Sequence, residues 1–282
     1  MSAPYRMLAF DLDGTLLEAD GTLAAESAAF LRELAASGVV VTAATGRRLQ
    51  SALPHLRKAG LAGPCVVHNG GQIADIASGA TLALQPLPAP SVAALIERLE
   101  LHGFAPLLFS DAPRGPREIV WAAGAPDPTG YLAWYARYAA GHCDVVAPPL
   151  RPGAETVLRV VTHGDPTALA QLVRTVETEQ RGAVRGFVQE ELAVDGYRAE
   201  FLARAADKWS GVQWVAKQAA IEPEQIVAVG DDNNDVELLS GAGCSLAAPD
   251  SSAAAVAAAD EALHGDGPRA VVAALRRLFG LR

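Results

Sequence analysis

Asp11 and Asp13 stand two residues apart in "AFDLDGTL", directly after the apolar run Met7 to Phe10 and before a Gly-Thr turn. Two carboxylates about 5 Å apart at an effective dielectric near 20 repel by roughly 3 kcal/mol. A chain that ends a buried strand on such a pair needs something to offset that cost. Strand alternation, carried past Phe10, aims both side chains at one spot, and Gly14 permits a sharp exit. Several chemistries use paired carboxylates. A calcium loop requires D-x-[DN]-x-[DN]-G, whereas here Gly14 comes fourth and Thr15 fifth. An acid/base pair of the glycosidase kind leaves the rest of the pattern unexplained. An aspartate nucleophile attacking phosphorus beside Mg2+, with the second aspartate as proton donor, also fits. So does a polar turn that merely holds two aspartates.

Further polar groups follow other strand ends. Thr45 closes an apolar run in "ATGR", and Asp231 opens "DDNND" after "QIVAVG". Asp231 is a hard oxygen ligand, while Asn234 and Asp235 stand where a helix begins and suit an N-cap as well as a ligand. Lys208, in "ADKWS", precedes a helical stretch. Each signal is weak alone. Together, in this order and at or beside successive strand ends, they argue against an accidental turn.

The elements that must position these groups alternate between strand and helix. Residues 7–10, 39–46, 64–67 and 225–230 read as short buried strands. "AAESAAFLRELAASG", "DVELLSGAG", "SSAAAVAAADEAL" and "PRAVVAALRRLF" read as helices. Such alternation predicts an α/β fold, a Rossmann-like parallel sheet with helices on both faces, in which function gathers at the carboxyl ends of the strands. The middle of the chain differs. It is rich in prolines and carries two helical stretches, "SVAALIERLELHG" and "PTALAQLVRTVETEQ", among several strands. This predicts an inserted α+β domain over residues 86–197, with residues 1–85 and 198–282 forming the main domain.

Composition narrows the function classes. The chain has 282 residues, half of them hydrophobic, with a formal net charge of −9. No basic cluster exceeds a pair such as Arg47-Arg48, so a nucleic-acid partner is not expected. Three cysteines, Cys65, Cys143 and Cys244, show no metal or disulfide spacing, which suits a reducing cytoplasm. No apolar stretch approaches the ~18 residues of a membrane span, and no leader-like segment opens the chain. Only three of its 23 basic residues are lysines: Lys58, Lys208 and Lys217.

The residues "DLDGTL" at 11–16, "TGR" at 45–47, "NGG" at 69–71, Lys208 and "GDDNNDVELL" at 230–239 together resemble the haloacid dehalogenase superfamily of phosphohydrolases. Within it the chain is similar to the Cof-type branch, whose α/β cap is inserted between the second and third motifs. The resemblance implies a phosphatase acting on a small-molecule phosphate ester with Mg2+ as cofactor. It implies that Asp11 is the nucleophile and becomes an aspartyl phosphate, that Asp13 is the general acid/base, that Thr45 bonds the phosphoryl oxygens, and that Lys208 offsets charge. It further implies that Asp11, the backbone carbonyl of Asp13 and Asp231 hold the metal, with Asn234 and Asp235 beside them. Gly46, Arg47, Asn69 and Gly70 become candidates for substrate binding. Two local departures stand out. Lys208 is followed by Trp209-Ser210-Gly211 where the family often has Lys-Gly, and "GCSLAAPDS" replaces a "GxAMGNA"-like turn.

Two other readings complete the expectations. A dedicated sugar-phosphate phosphatase or phosphomutase of the same fold would share every motif. A phospho-accepting signalling domain also gathers aspartates, a threonine and a lysine, but is about half as long and lacks the second aspartate at Asp13. In the inserted region, Tyr131, Trp134, Tyr135 and Tyr138 fall on one helical face, read as packing against a sheet. Arg114, Arg117 and Arg151 lie in proline-rich loops, and His68 borders the main site.

Overall fold

The computed structural model describes residues 5–111, 118–151, 156–191 and 194–281. Arg114 and Arg117 lie outside the described residues. The chain forms two compact units, Met1–Leu84 with Ala206–Arg282, and Gln85–Ala205. Numbered along the chain, the first segment carries β1 (Met7–Phe10), α1 (Ala25–Ala36), β2 (Val40–Ala43), α2 (Leu49–Lys58), β3 (Pro64–Val67), β4 (Gln72–Asp75) and β5 (Thr81–Leu84). The middle segment carries α3 (Ala89–Leu101), β6 (Leu107–Ser110), β7 (Ile119–Ala122), α4 (Tyr131–Tyr138), β8 (Cys143–Val146), β9 (Val157–Gly164), α5 (Pro166–Glu179), β10 (Val184–Glu190) and β11 (Tyr197–Ala203). The last segment carries α6 (Lys208–Gln218), β12 (Ile226–Gly230), α7 (Val236–Gly241), β13 (Cys244–Ala247), α8 (Ala253–Ala258), β14 (Glu261–Ala262) and α9 (Gly267–Phe279).

In the first unit the main sheet has the order β14-β13-β12-β1-β2, and its strand pairs are parallel. The central strand β1 is apolar throughout because both of its faces are covered. Leu8 and Phe10 enter one apolar layer with Phe30, Leu31 and Leu275. Met7 and Ala9 enter the other with Val212, Val215 and Leu238. This is the α/β core expected from the alternation of elements.

The strand at Pro64–Val67 departs from the expected pattern. It does not extend the parallel sheet but pairs antiparallel with β4, which pairs in turn with β5. A single parallel bridge, Ala44 to Val66, ties it to the end of β2. The reason is the turn after it. His68, Asn69 and Gly70 have φ of 51°, 52° and 91°, so the chain reverses there into a hairpin. The alanine-rich helix is also shorter than expected, since α8 stops at Ala258 and Glu261–Ala262 joins the sheet edge as β14. Helix α2, which was not among the expected helices and carries Pro54 inside it, buries Leu49, Ala52, Leu53 and Leu56.

The second unit holds a six-stranded sheet in the order β10-β11-β9-β6-β7-β8. Its pairs are antiparallel except β7 with β8. Residues of α3 and α5 pack on one face with Val160 and Phe201. Residues of α4 pack with Leu107, Phe109 and Trp121 in a separate cluster. Tyr131 and Tyr135 are buried there, Tyr135 meeting Phe109 edge-on, while Trp134 stacks on Tyr138. The unit runs to Ala205, past the boundary expected at 197, because all of β11 is paired within this sheet.

Candidate active site

The polar groups read from the sequence gather in the first unit, beyond the ends of β1, β2 and β12. The order of the sheet explains this: β1 lies between β12 and β2, so residues that follow these three strands become neighbours. Backbone bonds continue the ladder past the strands, from Asp11 N to Val229 O at 2.9 Å and from Ala44 N to Phe10 O at 2.8 Å.

Lys208 is the centre of the cluster. It is fully buried, and its Nζ donates to Asp235 Oδ1 at 2.7 Å and pairs with Asp11 Oδ2 at 3.1 Å. Asp207 fixes the start of α6 by accepting from Ser210 N at 2.7 Å, while Ser210 Oγ answers Asp207 N. This capping box holds Lys208 in place at the first turn of the helix. Trp209 and Gly211, which depart from the family pattern, are both packing residues. A Cβ on Gly241 would fall 2.3 Å from the Trp209 ring, and one on Gly211 would fall 2.4 Å from Val66.

Asp235 uses its other oxygen on the loop itself. Its Oδ2 accepts from Asp231 N at 3.1 Å and from Asp232 N at 3.2 Å. It thus caps the local turn and also anchors Lys208. Asp231 is oriented from the opposite side, where Thr15 Oγ1 donates to its Oδ1 at 2.9 Å. Gly14 has φ +70°, and a Cβ there would lie 2.1 Å from Asp231 Oδ2. Sequence reasoning assigned no role to Thr15, since nothing local announces a partner so distant in the chain.

The carboxylates of Asp11, Asp231 and Asp235 can each offer an oxygen within 4.8 Å of the others. Burial raises the Asp11 carboxyl well above the usual carboxylate range, against the opposing pull of Lys208, and Asp235 and Asp231 push the same way as burial. Asp231 is pushed up to about 7, by burial first and then by Asp235. Burial alone would lower the Lys208 ammonium, but Asp11 and Asp235 outweigh it and hold it above its ordinary value. One ammonium therefore faces two buried acids, Asp11 and Asp235, and the partly buried Asp231. Asp11 Oδ1 is buried and has no hydrogen-bond partner. An all-carboxylate donor set with such an orphaned oxygen fits a hard divalent cation.

Asp13 is placed differently from the expectation. β1 ends at Phe10, so strand alternation does not reach Asp13, and its carboxylate is not part of the acidic trio. Its side chain is 55% exposed, and both oxygens are held by Arg47, through Nε and Nη2 at 2.6 Å each. Arg47 Nη1 also lies 3.1 Å from His55 Nε2. Thr45 is buried, and its Oγ1 accepts from Arg47 N at 3.2 Å.

The "NGG" turn packs beneath this loop. Asn69 N donates to Thr45 O at 3.0 Å and His68 N to Arg47 O at 2.9 Å. A Cβ on Gly46 would press on the Asn69 amide at 3.1 Å, and one on Gly70 would overlap Asp207 O at 2.0 Å. Asn234 Nδ2 donates to Asn69 Oδ1 at 3.0 Å. Gly46 and Gly70 are thus explained by close backbone packing. Arg151, in the second unit, is exposed.

Comparison with known proteins places this geometry. The family profile of haloacid dehalogenase-like hydrolases matches residues 8–275. Pyridoxal phosphate phosphatase YbhA of Escherichia coli (strain K12) is 27% identical over 258 residues, 86% of this chain and 87% of that protein. An HMP-PP phosphatase of Serratia proteamaculans (strain 568) is 42% identical over 71 residues, which is 25% of this chain and only 26% of that enzyme's length. Among solved structures, a haloacid dehalogenase-like hydrolase from Bacteroides thetaiotaomicron superposes with TM-score 0.78 at 21% identity, covering 97% of this chain and 99% of its own. A HAD/COF-like hydrolase from Plasmodium vivax gives 0.78 at 22% identity, covering 99% and 97%. Among the described residues, no helix is long and apolar enough to cross a membrane. With its parallel core, its inserted unit and a profile match along nearly its whole length, the chain belongs to the haloacid dehalogenase-like hydrolase family and is an enzyme of that hydrolase class.

Proposed function

We propose that the protein is a Mg2+-dependent phosphatase of small-molecule phosphomonoesters that works through an aspartyl phosphate on Asp11. The observation that carries this reading is the Asp11 carboxylate itself. One of its oxygens is paired with Lys208, the other is buried without a hydrogen-bond partner, and the carboxylates of Asp231 and Asp235 lie close by. An oxygen held at one end of a rigid carboxylate and unclaimed at the other suits nucleophilic attack.

In the first step the Asp11 carboxylate attacks phosphorus, and the bond from phosphorus to the ester oxygen breaks. Asp13, which must release Arg47 to carry a proton, gives that proton to the departing alkoxide. In the second step Asp13 takes a proton from water as that water attacks phosphorus, and the bond to Asp11 breaks to release inorganic phosphate. Lys208 holds the nucleophile's other oxygen, and the Thr45 hydroxyl is assigned to the phosphoryl oxygens. Arg47 places the Asp13 carboxylate at the mouth of the site, with Gly46, Asn69 and Gly70 shaping the floor for the phosphate group. Mg2+, when bound by the carboxylates of Asp11 and Asp231 and the backbone carbonyl of Asp13, supplies positive charge for the transferring phosphoryl group. Asp235 acts on this assembly through Lys208 and the backbone of Asp231.

Every group named here lies in the first unit. The inserted unit, Gln85–Ala205, is therefore assigned the choice of leaving group. The phosphatase relative that aligns along most of the chain is named for pyridoxal phosphate, which makes a phosphorylated heteroaromatic ring the first substrate to try, ahead of sugar phosphates and nucleotides.

The test is hydrolysis of p-nitrophenyl phosphate and of a phosphate-ester panel led by pyridoxal phosphate. Activity should require Mg2+, vanish with EDTA and return poorly with Ca2+, which prefers more ligands and longer bonds. Asp11→Asn should eliminate turnover and the acid-quenched phosphoenzyme. Asp13→Asn should slow formation and breakdown of the phosphoenzyme by ~10²–10⁴-fold. Phosphate trapped on another residue, seen by mass spectrometry, would refute the assignment. No turnover of any ester would favour a phospho-accepting domain instead.

A further inference from the structure

Asp13 and Arg47 both stand on connections between elements. Asp13 follows β1, and Arg47 lies between β2 and α2. Backbone bonds fix where the Arg47 loop runs, from His68 N to Arg47 O at 2.9 Å and from Arg47 N to Thr45 Oγ1 at 3.2 Å. They do not fix the guanidinium, which sits at the end of a long side chain. His55 approaches it from a firmer base. It stands on α2, whose Leu49, Ala52, Leu53 and Leu56 are buried in the core. Its Nε2 lies 3.1 Å from Arg47 Nη1.

The chemistry of this contact has one solution. A guanidinium carries five N–H donors and no acceptor, and it stays charged. Nε2 must therefore accept, so His55 is neutral with its hydrogen on Nδ1. Turning the ring over would set C–H against N–H and lose the bond. Burial first, and then the charge of Arg47, lower the His55 imidazole from its ordinary value, against an opposing pull from Asp13. Arg47 also gives Nε and Nη2 to the two Asp13 oxygens at 2.6 Å each. One planar group is thus shared between a carboxylate on a loop and an imidazole on a helix. In the proposed reaction Asp13 gains and loses a proton, and each gain breaks its hold on Arg47. The bond from Arg47 to His55 does not depend on that proton.

We propose that His55 is a positioning residue for the general acid/base: it keeps the Arg47 guanidinium in place while Asp13 lets go of it, so that Asp13 returns to one position between proton transfers. This rests on the phosphatase reading in taking Asp13 as the acid/base. Without His55 the guanidinium turns with Asp13, and the carboxyl group is no longer held to one place. A misplacement of ~1 Å costs ~10²-fold in rate, so a partial loosening of the clamp should cost ~10-fold.

The test compares natural protein, His55→Leu and His55→Gln on two aryl phosphates of similar size, p-nitrophenyl phosphate and phenyl phosphate. Phenolate is the more basic leaving group and depends more on a proton from Asp13. His55→Leu should lower kcat/KM for phenyl phosphate by ~10-fold or more, and for p-nitrophenyl phosphate by less than ~threefold. It should also slow breakdown of the phosphoenzyme, where Asp13 acts as base, whichever ester formed it. His55→Gln offers an amide oxygen to Arg47 and should recover most of the loss. Apart from activity, long-range 15N–1H spectra of the natural protein should show His55 Nε2 without a proton, and Arg47→Met should raise the His55 titration toward its ordinary value. Circular dichroism and cooperative unfolding check that each variant is folded. An equal loss on both esters or no loss in folded His55→Leu, no recovery in His55→Gln, or a protonated Nε2 in the natural protein would overturn the inference and leave the phosphatase reading standing. Natural protein that hydrolyses no phosphate ester would remove both.

Discussion

Lys208→Arg separates charge from geometry at the centre of the site. The lysine ammonium has no solvent exposure and makes its contacts at 2.7 Å to Asp235 and 3.1 Å to Asp11. A larger head group has no exposed surface to turn to at this position. A guanidinium keeps the charge but is planar, longer and fixed in its donor directions. Overpacking a buried position costs typically ~1–3 kcal/mol, which a domain of ordinary stability survives. The kinetic cost is larger. If the guanidinium displaces the Asp11 carboxylate by ~1 Å, the rate falls by ~10²-fold. Lys208→Met probes the other limit. It leaves buried carboxylates without their cation, a loss of ~3–5 kcal/mol, so its melting temperature should drop well below that of Lys208→Arg. The assay is kcat on p-nitrophenyl phosphate beside thermal unfolding, with the exposed Lys58→Arg and Lys217→Arg as neutral controls. A folded Lys208→Arg enzyme within about threefold of natural kcat, against the ~10²-fold expected, would show that positive charge alone suffices there.

Gly14→Ala should cost ~1–2 kcal/mol for its left-handed backbone. It should also lower kcat by ~10²-fold, because a Cβ that falls 2.1 Å from Asp231 Oδ2 must push that carboxylate by roughly 1 Å; thermal unfolding and steady-state kinetics read the two effects, and natural kcat in Gly14→Ala would disprove the tight approach. In the second unit, buried Glu200 takes Arg159 Nη1 at 2.8 Å and Arg198 Nε at 2.8 Å. Burial works to raise this carboxyl, but the two guanidiniums outweigh it and hold it below the usual range. A lowered folded value means stability that is present above the unfolded value near ~4.3 and is lost as pH falls through the folded value. Glu200→Gln should therefore lower the melting temperature at pH 7, and the gap from the natural protein should close in strong acid; a gap independent of pH would show that the charge of Glu200 contributes nothing.

The groups of the site were legible in the sequence one by one, because each follows a short apolar strand and carries a side chain with plain chemistry. Asp11, Thr45 and Asp231 each sit just past a strand end, where the alternation of elements already placed function. The parallel core was legible for a similar reason. A strand buried on both faces, such as Met7–Phe10, reads as an unbroken apolar run, and helical stripes depend only on neighbours a few residues away. The pairings were not legible. Thr15 meets Asp231 across 216 residues, Asp13 meets Arg47 across 34, and Lys208 meets Asp235 across 27. None of these follows from local spacing. The first two follow from the order β12-β1-β2 in the sheet, which brings distant loops to one edge, and the third from the start of α6 lying beside them. Only the tertiary structure decided that Asp11 goes to Lys208 while Asp13 goes to Arg47, and that the Asn69 turn reverses β3 into a hairpin under them. The physical reason is that periodicity records which face of an element is buried, whereas a hydrogen bond between loops depends on which strands became neighbours.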